Sequence, residues 1–194
     1  MGNDGPRFRK RGRPPENRVA RRLEIFLAVA PALAEQGSRM TMKEAARRAN
    51  VSVGTLYYYF GAKRALLLYG LDPEPATILC RSFAARYRRY RISDARRYRE
   101  ALLNFLVATL EAMRASVDAA IRLGPEVVRD RINRVVREPI PAFIQIIRDG
   151  LPPSIGDSSG SVERIVRTVL AAGLLEPELD ARRLRRELRH ILGG

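Results

Sequence analysis

The most constraining feature of this sequence is the stretch from Thr41 to Lys63, TMKEAARRANVSVGTLYYYFGAK. Thr41 and Glu44 have the spacing of a capping box, which predicts the start of a short helix rich in alanine. Asn50 follows where the chain must turn, because asparagine tolerates the left-handed backbone region better than most residues. Ser52 can then cap a second short helix. Two short helices joined by a tight turn can place one helix in the major groove of DNA.

The second helix of this stretch is expected over about Val53 to Tyr59 and carries residue types that contact DNA. Val53 can touch a thymine methyl group, Gly54 lets the backbone approach closely, and Thr55 can hydrogen-bond to base edges or phosphate. The three consecutive tyrosines span roughly 200° of a helix, so they cannot all be buried. Core packing is the alternative role for each of them. We expect two of the three on DNA, where their hydroxyls suit phosphate contacts.

Basic residues on both sides extend the predicted contact surface. Residues 1–16 combine glycine, proline and arginine without apolar periodicity, which is typical of a disordered arm. Within it, KRGRP resembles an AT-hook that can lie in a narrow minor groove, although a solvated basic tail is the alternative. Lys63 begins the next helix and can reach a phosphate. The residues predicted to contact DNA are Arg11, Arg13, Thr41, Lys43, Ser52, Val53, Gly54, Thr55, Tyr57, Tyr58, Tyr59 and Lys63.

A longer helix should precede this stretch, from about Asn17 to Gln36. Its inward positions follow three-four spacing, and Gly37 provides a natural stop. Pro31 should kink this helix without dividing it. The inward positions are Val19, Leu23, Phe26, Leu27, Ala30, Leu33 and Ala34.

The pattern T-x-x-E-A-A-x-x-A-x-V-S-x-G-x-L-Y-x-Y-F-x-x-K-x-x-L resembles the DNA-binding domain of the tetracycline repressor (TetR) family, over residues 17–69. Asn50 stands where glycine is usual, and Tyr59 replaces a common histidine. Pro31 falls in a helix that is normally uninterrupted. The resemblance implies an N-terminal three-helix DNA-binding domain, followed over residues 70–194 by a helical domain that binds a ligand and dimerises.

The remaining sequence also predicts helices, about nine in the whole chain, and an all-α fold. Pro73 and Pro75 should interrupt the chain before a helix from Ala76 to about Arg91. A central helix should run from the cap at Ser93 or Asp94 to about Ser116. Pro139 and Pro141 should bend a helix that follows Gly124, and residues 150–160 should form a loop before two last helices at 161–172 and 180–192.

The charge balance favours an anionic partner. The formal net charge is +15 and the isoelectric point is about 11.1, which indicates nucleic acid first and a membrane surface second, although arginine-rich codon usage would have the same effect. A second basic cluster, residues 81–99, contains eight arginines and one acidic residue, Asp94. It could be a solvated face, a supplementary phosphate contact below the DNA-binding head, or a mouth that attracts an anionic effector.

Several other classes of protein are disfavoured by the sequence. Cys80 and His190 are the only residues of their types, so we expect no metal site, no disulfide and no cofactor. No apolar run reaches membrane-spanning length, and no hydrophobic segment follows the basic N-terminus. We therefore expect a cytoplasmic protein that is not an enzyme.

A two-fold dimer would let two heads read a palindrome and multiply the discrimination of one recognition helix. Its seam is expected at residues 161–172 and 180–192 of both chains, with intrachain core as the alternative. The effector is expected to be a hydrophobic or amphiphilic small molecule, and an anionic head group would suit the arginines. Its candidate contacts, for each of which plain core packing is the favoured alternative, are Phe83, Tyr87, Tyr98, Phe105, Leu106, Met113 and Phe143.

The sequence therefore predicts a DNA-binding transcriptional regulator, a repressor released from a palindromic operator by a small molecule. The alternative is an architectural DNA-binding protein without an effector. An enzyme is the weakest hypothesis, because the sequence has no glycine-rich phosphate loop and no nucleophile-base pair.

Overall fold

The structure, a computed structural model, describes residues 17–137, 141–151, 159–176 and 181–191. Within these ranges it contains eleven α-helices and no β-strand, which confirms the all-α fold. The number exceeds the expected nine because Tyr90–Ser93 is a separate short helix and because Pro141 begins a new helix. The helices are α1 (Arg18–Gln36), α2 (Met42–Arg48), α3 (Val53–Phe60), α4 (Lys63–Leu68), α5 (Pro73–Tyr87), α6 (Tyr90–Ser93), α7 (Ala95–Ala120), α8 (Pro125–Arg137), α9 (Pro141–Gly150), α10 (Ser159–Leu175) and α11 (Ala181–Ile191).

Helix α1 begins and ends where its capping residues predict. The Asn17 side chain accepts hydrogen bonds from two backbone N–H groups of the first turn. Gly37 ends the helix with a φ of 57°, a conformation that favours glycine. The helix continues across Pro31, whose side chain is exposed.

The inward face of α1 differs from the predicted one. Val19 and Leu27 are each 40% exposed, and Ala34 is also exposed. The buried positions that spacing missed are Ile25, Val29 and Ala32. The real buried face is therefore rotated toward α7, because this long helix of the body (α5–α11) covers α1 in addition to the other helices of the head (α1–α4).

Two buried clusters organise the molecule, and α7 belongs to both. The head cluster joins α1–α4 to the C-terminal part of α7, from Met113 to Ala120. The body cluster joins α5, α9, α10 and α11 to the N-terminal part of α7, from Tyr98 to Leu110. Helix α7 has 26 residues, a length of about 39 Å at 1.5 Å per residue. Half of its residues are buried, and it contributes to both clusters, as the sequence predicted for a central helix.

The head meets the body through a 3₁₀ turn, Tyr69–Leu71, whose three residues are all buried. The Tyr69 ring packs edge-on against Phe26 and Phe60, with ring centres 5.3 and 5.5 Å apart. Gly70 has no room for a side chain, because a Cβ there would lie 2.7 Å from Phe26 and closer still to Ser116. This joint is therefore tightly packed.

Helix boundaries in the body follow the capping chemistry. Helix α5 begins at Pro73, earlier than the predicted Ala76, because proline fits the first turn of a helix. Asp94 caps α7 as predicted, accepting a hydrogen bond of 2.9 Å from the N–H of Arg97. Helix α7 continues to Ala120, four residues beyond the expected end at Ser116.

The apolar stripes expected at the dimer seam lie largely inside the single chain, and the seam itself stays a prediction. Val162, Val166, Val169 and Leu170 of α10 are buried within the single chain, as are Leu184 and Leu188 of α11. These stripes form intrachain core, the alternative weighed above. Residues 152–158, the middle of the expected loop, lie outside the described residues, and α10 begins at Ser159.

The described residues contain neither a membrane-spanning helix nor a metal-binding cluster. None of their helices is both long enough and apolar enough to cross a membrane. No group of three histidine, cysteine, aspartate or glutamate residues within the described ranges could hold a metal ion.

Candidate nucleic-acid interface

Helices α2 and α3 are fixed at their N-termini by the two predicted caps. The Thr41 hydroxyl accepts a hydrogen bond of 3.1 Å from the N–H of Glu44, and the Ser52 hydroxyl accepts one of 3.0 Å from the N–H of Thr55. Asn50 makes the turn between the helices with a φ of 51°, the left-handed value expected for it. These local bonds orient α3 before any contact with DNA.

The reciprocal half of the capping box at Thr41 is absent. The Glu44 carboxylate instead accepts hydrogen bonds from Arg47, at 2.9 and 2.7 Å, and from Arg48 at 3.0 Å. These bonds lower the pKa of Glu44 to about 2. Two guanidinium groups one turn away outcompete a single backbone N–H, because a charged donor bonds a carboxylate more strongly. The carboxylate therefore holds the arginines at the end of α2.

Helix α3 divides its residues between core and solvent. Leu56 is fully buried and Phe60 is 4% exposed, so they anchor the helix to the head. Val53 is 38% exposed, and Gly54 faces open space, since a Cβ there would meet only the Ser52 hydroxyl at 3.7 Å. Thr55 lies beside them, half-buried. The exposed edge of α3 is therefore formed by the residues predicted to face bases.

The hydroxyl of Thr55 has a partner within the protein. It lies 2.8 Å from the hydroxyl of Ser52. A hydroxyl offers one donor and two acceptor positions, so both groups keep capacity for a base edge or phosphate. The pairing orients the Thr55 side chain on the face of α3 beside Gly54.

The three tyrosines separate as helix geometry requires. Tyr57 and Tyr58 are 49% and 63% exposed, whereas Tyr59 is only 8% exposed. The Tyr59 ring packs edge-on against that of Tyr58, with centres 5.1 Å apart. The proposed phosphate contact of Tyr59 is therefore not supported by its burial, while Tyr57 and Tyr58 present their side chains to solvent.

Lys63 makes a hydrogen bond within the head. Its ammonium group donates a hydrogen bond of 2.6 Å to the backbone carbonyl of Ser38, in the turn that follows α1. The side chain is half-buried and links the start of α4 to the end of α1. This bond gives Lys63 a structural role, and the phosphate contact predicted for it stays a prediction. Lys43 on α2 is exposed, and its side chain makes no comparable hydrogen bond to the described residues of the head.

Sequence reasoning missed Arg18 as part of this surface. Its guanidinium donates a hydrogen bond of 3.1 Å to the backbone carbonyl of Tyr58 and lies 4.8 Å from the centre of the Tyr58 ring. Arg21 lines the open depression between α1 and α3, together with Gly54 and Thr55. The only available signal was the basic run at the start of α1. Arg11 and Arg13, the predicted arm contacts, lie outside the described residues.

The predicted effector contacts form a packed aromatic cluster. Phe83 stacks against Tyr87 and Phe105, with ring centres 4.8 Å apart in both pairs, and packs edge-on against Tyr98 at 5.5 Å. Tyr98 is 2% exposed, and its hydroxyl donates to the carbonyl of Ile146. Leu106 is buried in the same cluster. Phe83, Tyr98 and Leu106 are buried in the core, and Tyr87 and Phe105 pack against it half-buried. Their role as effector contacts stays a prediction.

A cavity of about 130 Å³ lies elsewhere in the body, between α5, α7, α8, α9 and α10. Of the seven predicted contacts it includes only Met113 and Phe143. Spacing along the sequence identifies apolar residues but not the gap that packing leaves between helices. The lining residues are Leu71, Asp72, Pro73, Ala76, Met113, Arg131, Arg134, Val135, Phe143 and Leu170.

Positive charge surrounds one side of this cavity. Arg131 forms an ion pair with Asp72, and both residues line the cavity. Burial, together with the nearby charges of Arg134 and Arg64, lowers the pKa of Arg131 from its usual value. Two guanidinium groups and one carboxylate therefore line the cavity, which leaves an excess of positive charge beside an apolar space.

One comparison with known proteins agrees with the geometry of the head. Residues 28–69, from the middle of α1 to the 3₁₀ turn, match the family model for bacterial regulatory proteins of the tetR family. A search of curated proteins finds no match. Among solved structures, a repressor named AlkX from Dietzia sp. strain DQ12-45-1b, implicated in n-alkane biodegradation, is similar at 24% identity, with a TM-score of 0.40, over 88% of this chain and 96% of that one.

Proposed function

We propose that this chain, whose residues 28–69 match the model of the tetR family, is a homodimeric repressor of that family, released from a palindromic operator by a small amphiphilic effector. One observation carries the proposal. At the start of α3, Val53 and Gly54 face solvent with Thr55 half-buried beside them, while Leu56 and Phe60 are buried against the head. A short helix anchored on one side and open on the other can enter a major groove.

The proposed contacts divide into base readout and phosphate positioning. Val53, Gly54 and Thr55 face base edges, where a thymine methyl group and hydrogen-bonding groups are available. Phosphate contacts come from the N-terminal ends of α2 and α3 and from the exposed side chains around α3. The proposed phosphate contacts are Thr41, Lys43, Ser52, Tyr57 and Tyr58, with Arg18 and Arg21 added from the structure and Arg11 and Arg13 from the N-terminal arm.

The dimer is proposed because one head alone recognises too few base pairs to be specific. One exposed edge of α3 reads only a few base pairs, and two heads spaced by about one helical turn, roughly 34–36 Å, read a palindrome. The apolar stripes of α10 and α11 are already buried within one chain. The two-fold contact that we propose must therefore use other surfaces of the body.

The effector is proposed to occupy the cavity between α5 and α8. Its lining is mainly apolar, and Arg131 and Arg134 lie on one side beside Asp72. An amphiphile with an acidic head group suits such a space, because its tail leaves water while its charge meets the guanidinium groups. The excess of positive charge is the feature that favours an anion over a neutral molecule.

The start of α5 offers a route from the cavity to the head. Asp72 and Pro73 line the cavity, and the next residue, Glu74, accepts hydrogen bonds from Arg22 of α1 and from the Tyr69 hydroxyl. An effector that binds best when α5 is displaced would shift the population of head positions. DNA affinity would then fall by the effector's differential affinity for the two states.

The decisive experiment is selection of bound fragments from the source genome, followed by footprinting. A protected palindrome supports the repressor, and adding the effector should abolish the protection. Uniform weak coverage with a steep salt dependence would instead support an architectural DNA-binding protein. Turnover of a bound small molecule would revive the hypothesis of an enzyme.

A further inference from the structure

The basic cluster of residues 81–99 lies at the end of the body that faces away from the head. Helix α7 packs against the head near its C-terminal end, where Ser116 meets Gly70. It begins at Ala95, inside the basic cluster. The 21 residues between these ends correspond to about 31 Å of helix. We call this end of the body the tip, defined by residues 81–99, and its distance from Gly70 argues against a supplementary contact beside the head.

Seven of the eight arginines of the tip are exposed, and Arg99 is half-buried. An open groove of about 570 Å³ at its surface is lined by Ala85, Arg86, Arg88, Arg89, Arg91 and Ile92. Of these four arginines, only Arg91 has an acidic partner among the described residues, Asp149 at 3.1 Å. The one acidic residue of the tip, Asp94, caps α7. The groove therefore presents a concentrated positive charge to solvent.

Aromatic stacking holds part of this surface in place. The guanidinium groups of Arg89 and Arg97 lie 4.7 and 4.3 Å from the centre of the Tyr90 ring, and Arg89 also donates to the Tyr90 hydroxyl at 2.7 Å. Stacked arginines lose less side-chain freedom when they bind a phosphate. A merely solvated face would not need such ordering.

The charge and its arrangement fit the phosphate backbone of duplex DNA. A duplex carries one negative charge per about 1.7 Å of its axis, and guanidinium groups pair well with phosphates. Anionic lipid is the main competitor, but insertion into a lipid interface needs an apolar face. Ile92 is the only large apolar side chain of the tip that is described as exposed, at 84%.

We propose that the tip binds the phosphates of a second DNA duplex, so that the protein bridges two duplexes. The inference rests on the proposed function only for the duplex at the head. Once the head holds one duplex, another segment of the same molecule is present at a high effective concentration, and weak phosphate contacts suffice to capture it. The contact is independent of base sequence, because only phosphates are recognised.

Energy transfer between two mixed-sequence duplexes, one carrying a donor dye and the other an acceptor, tests the proposal with the full chain. The tip variant combines Arg86→Gln, Arg88→Gln and Arg89→Gln. The control variant combines Arg129→Gln, Arg164→Gln and Arg167→Gln, which removes the same charge from exposed arginines of α8 and α10. Anisotropy with a single labelled duplex reports head binding in parallel.

We expect the wild type and the control variant to bring the duplexes together, and the tip variant to lose at least about tenfold of the transfer signal at 0.1 M salt. Binding of a single duplex should persist in all three proteins. Equal transfer by the tip and control variants overturns the proposal, as does the absence of transfer with the wild type. Tip-dependent binding to anionic vesicles without transfer would assign the surface to lipid.

The proposed function would fail differently. Equal affinity for a genome-selected duplex and a scrambled one would contradict the sequence-specific repressor. That result would leave the transfer assay valid, because its duplexes have mixed sequence and report bridging alone.

Discussion

The guanidinium group of Arg22 lies 4.4 Å from the centre of the Tyr69 ring, so a residue of the first head helix stacks on the joint between head and body. The same guanidinium is 5.2 Å from the Phe60 ring and 3.3 Å from the Glu74 carboxylate. Arg22 thus contacts the end of α3, the joint and the start of α5. The Tyr69 hydroxyl bonds to the same carboxylate at 2.9 Å, and burial together with this bond raises the pKa of Tyr69.

Replacing Arg22 should weaken both the fold and the link between cavity and head. We expect Arg22→Gln to lower the free energy of unfolding by about 1–2 kcal/mol, through lost cation–π contacts and a lost ion pair. Urea unfolding measures the change. Arg129→Gln is the control, because its exposed pair with Glu126 should contribute less than about 1 kcal/mol. Equal losses in the two variants would contradict a special role for Arg22.

Lys43 and Lys63 should respond differently to the same change. Lys63→Gln removes a half-buried bond to the Ser38 carbonyl, so we expect a loss of about 1–2 kcal/mol in the free energy of unfolding. Lys43→Gln should leave the stability unchanged and lower the salt dependence of DNA binding by one phosphate contact, a change of about 0.9 in slope. Thermal unfolding and salt titrations of DNA affinity separate the two roles. A stable Lys63→Gln protein with a reduced salt slope would restore the phosphate contact expected from the sequence.

The ion pairs of Glu44 predict a pH dependence. The folded pKa of about 2 lies below the ordinary value of 4.5, so the carboxylate contributes stability above about pH 4.5 and loses it as the pH falls toward 2. The melting temperature of Glu44→Gln should therefore be below that of the wild type at pH 6, and the gap should close over that acid range. Because the pairs are exposed, 1 M salt should shrink the gap at pH 6. A gap that is constant from pH 6 to pH 2 would argue against the ion pairs as its source.

The cavity should prefer an acid to an alcohol of equal length. We expect octanoate to raise the melting temperature more than octanol does, because Arg131 and Arg134 meet the carboxylate. In Arg134→Gln the two compounds should act more alike. Arg164→Gln, on the exposed side of α10, should behave as the wild type does. A larger shift with octanol than with octanoate would contradict the anionic head group.

The head was predictable from the sequence because its determinants are local. Thr41, Asn50 and Ser52 each act through backbone atoms a few residues away, and their spacing specifies both helices and the turn. The burial of Tyr59 and the hydrogen bond of Lys63 to Ser38 were not predictable in this way. Each depends on a neighbour distant in the chain or on the final tilt of α3 against the head, which spacing does not encode.

The body was less predictable, because its function depends on space and not on residue type. Phe83 and Tyr98 are aromatic residues of the kind that line ligand sites, yet here they pack closely against each other in the core. The cavity arises where α5 and α8 leave a gap. Arg131 and Arg134 were missed because the predicted effector contacts were chosen among apolar and aromatic residues. The tip arginines were visible in the sequence, but their distance from the head required knowledge of where α7 begins and ends.

Helix α7 supplies part of the core of the head as well as the centre of the body. A fragment limited to residues 17–69 would expose the apolar surface that Met113, Val117 and Ala120 cover in the full chain. Unfolding should therefore be a single cooperative event, and amide hydrogens of α1 should exchange no faster than those of the middle of α7. The head therefore has its own contact surface but cannot fold alone. A mutation that destabilises the body should also lower the fraction of DNA bound.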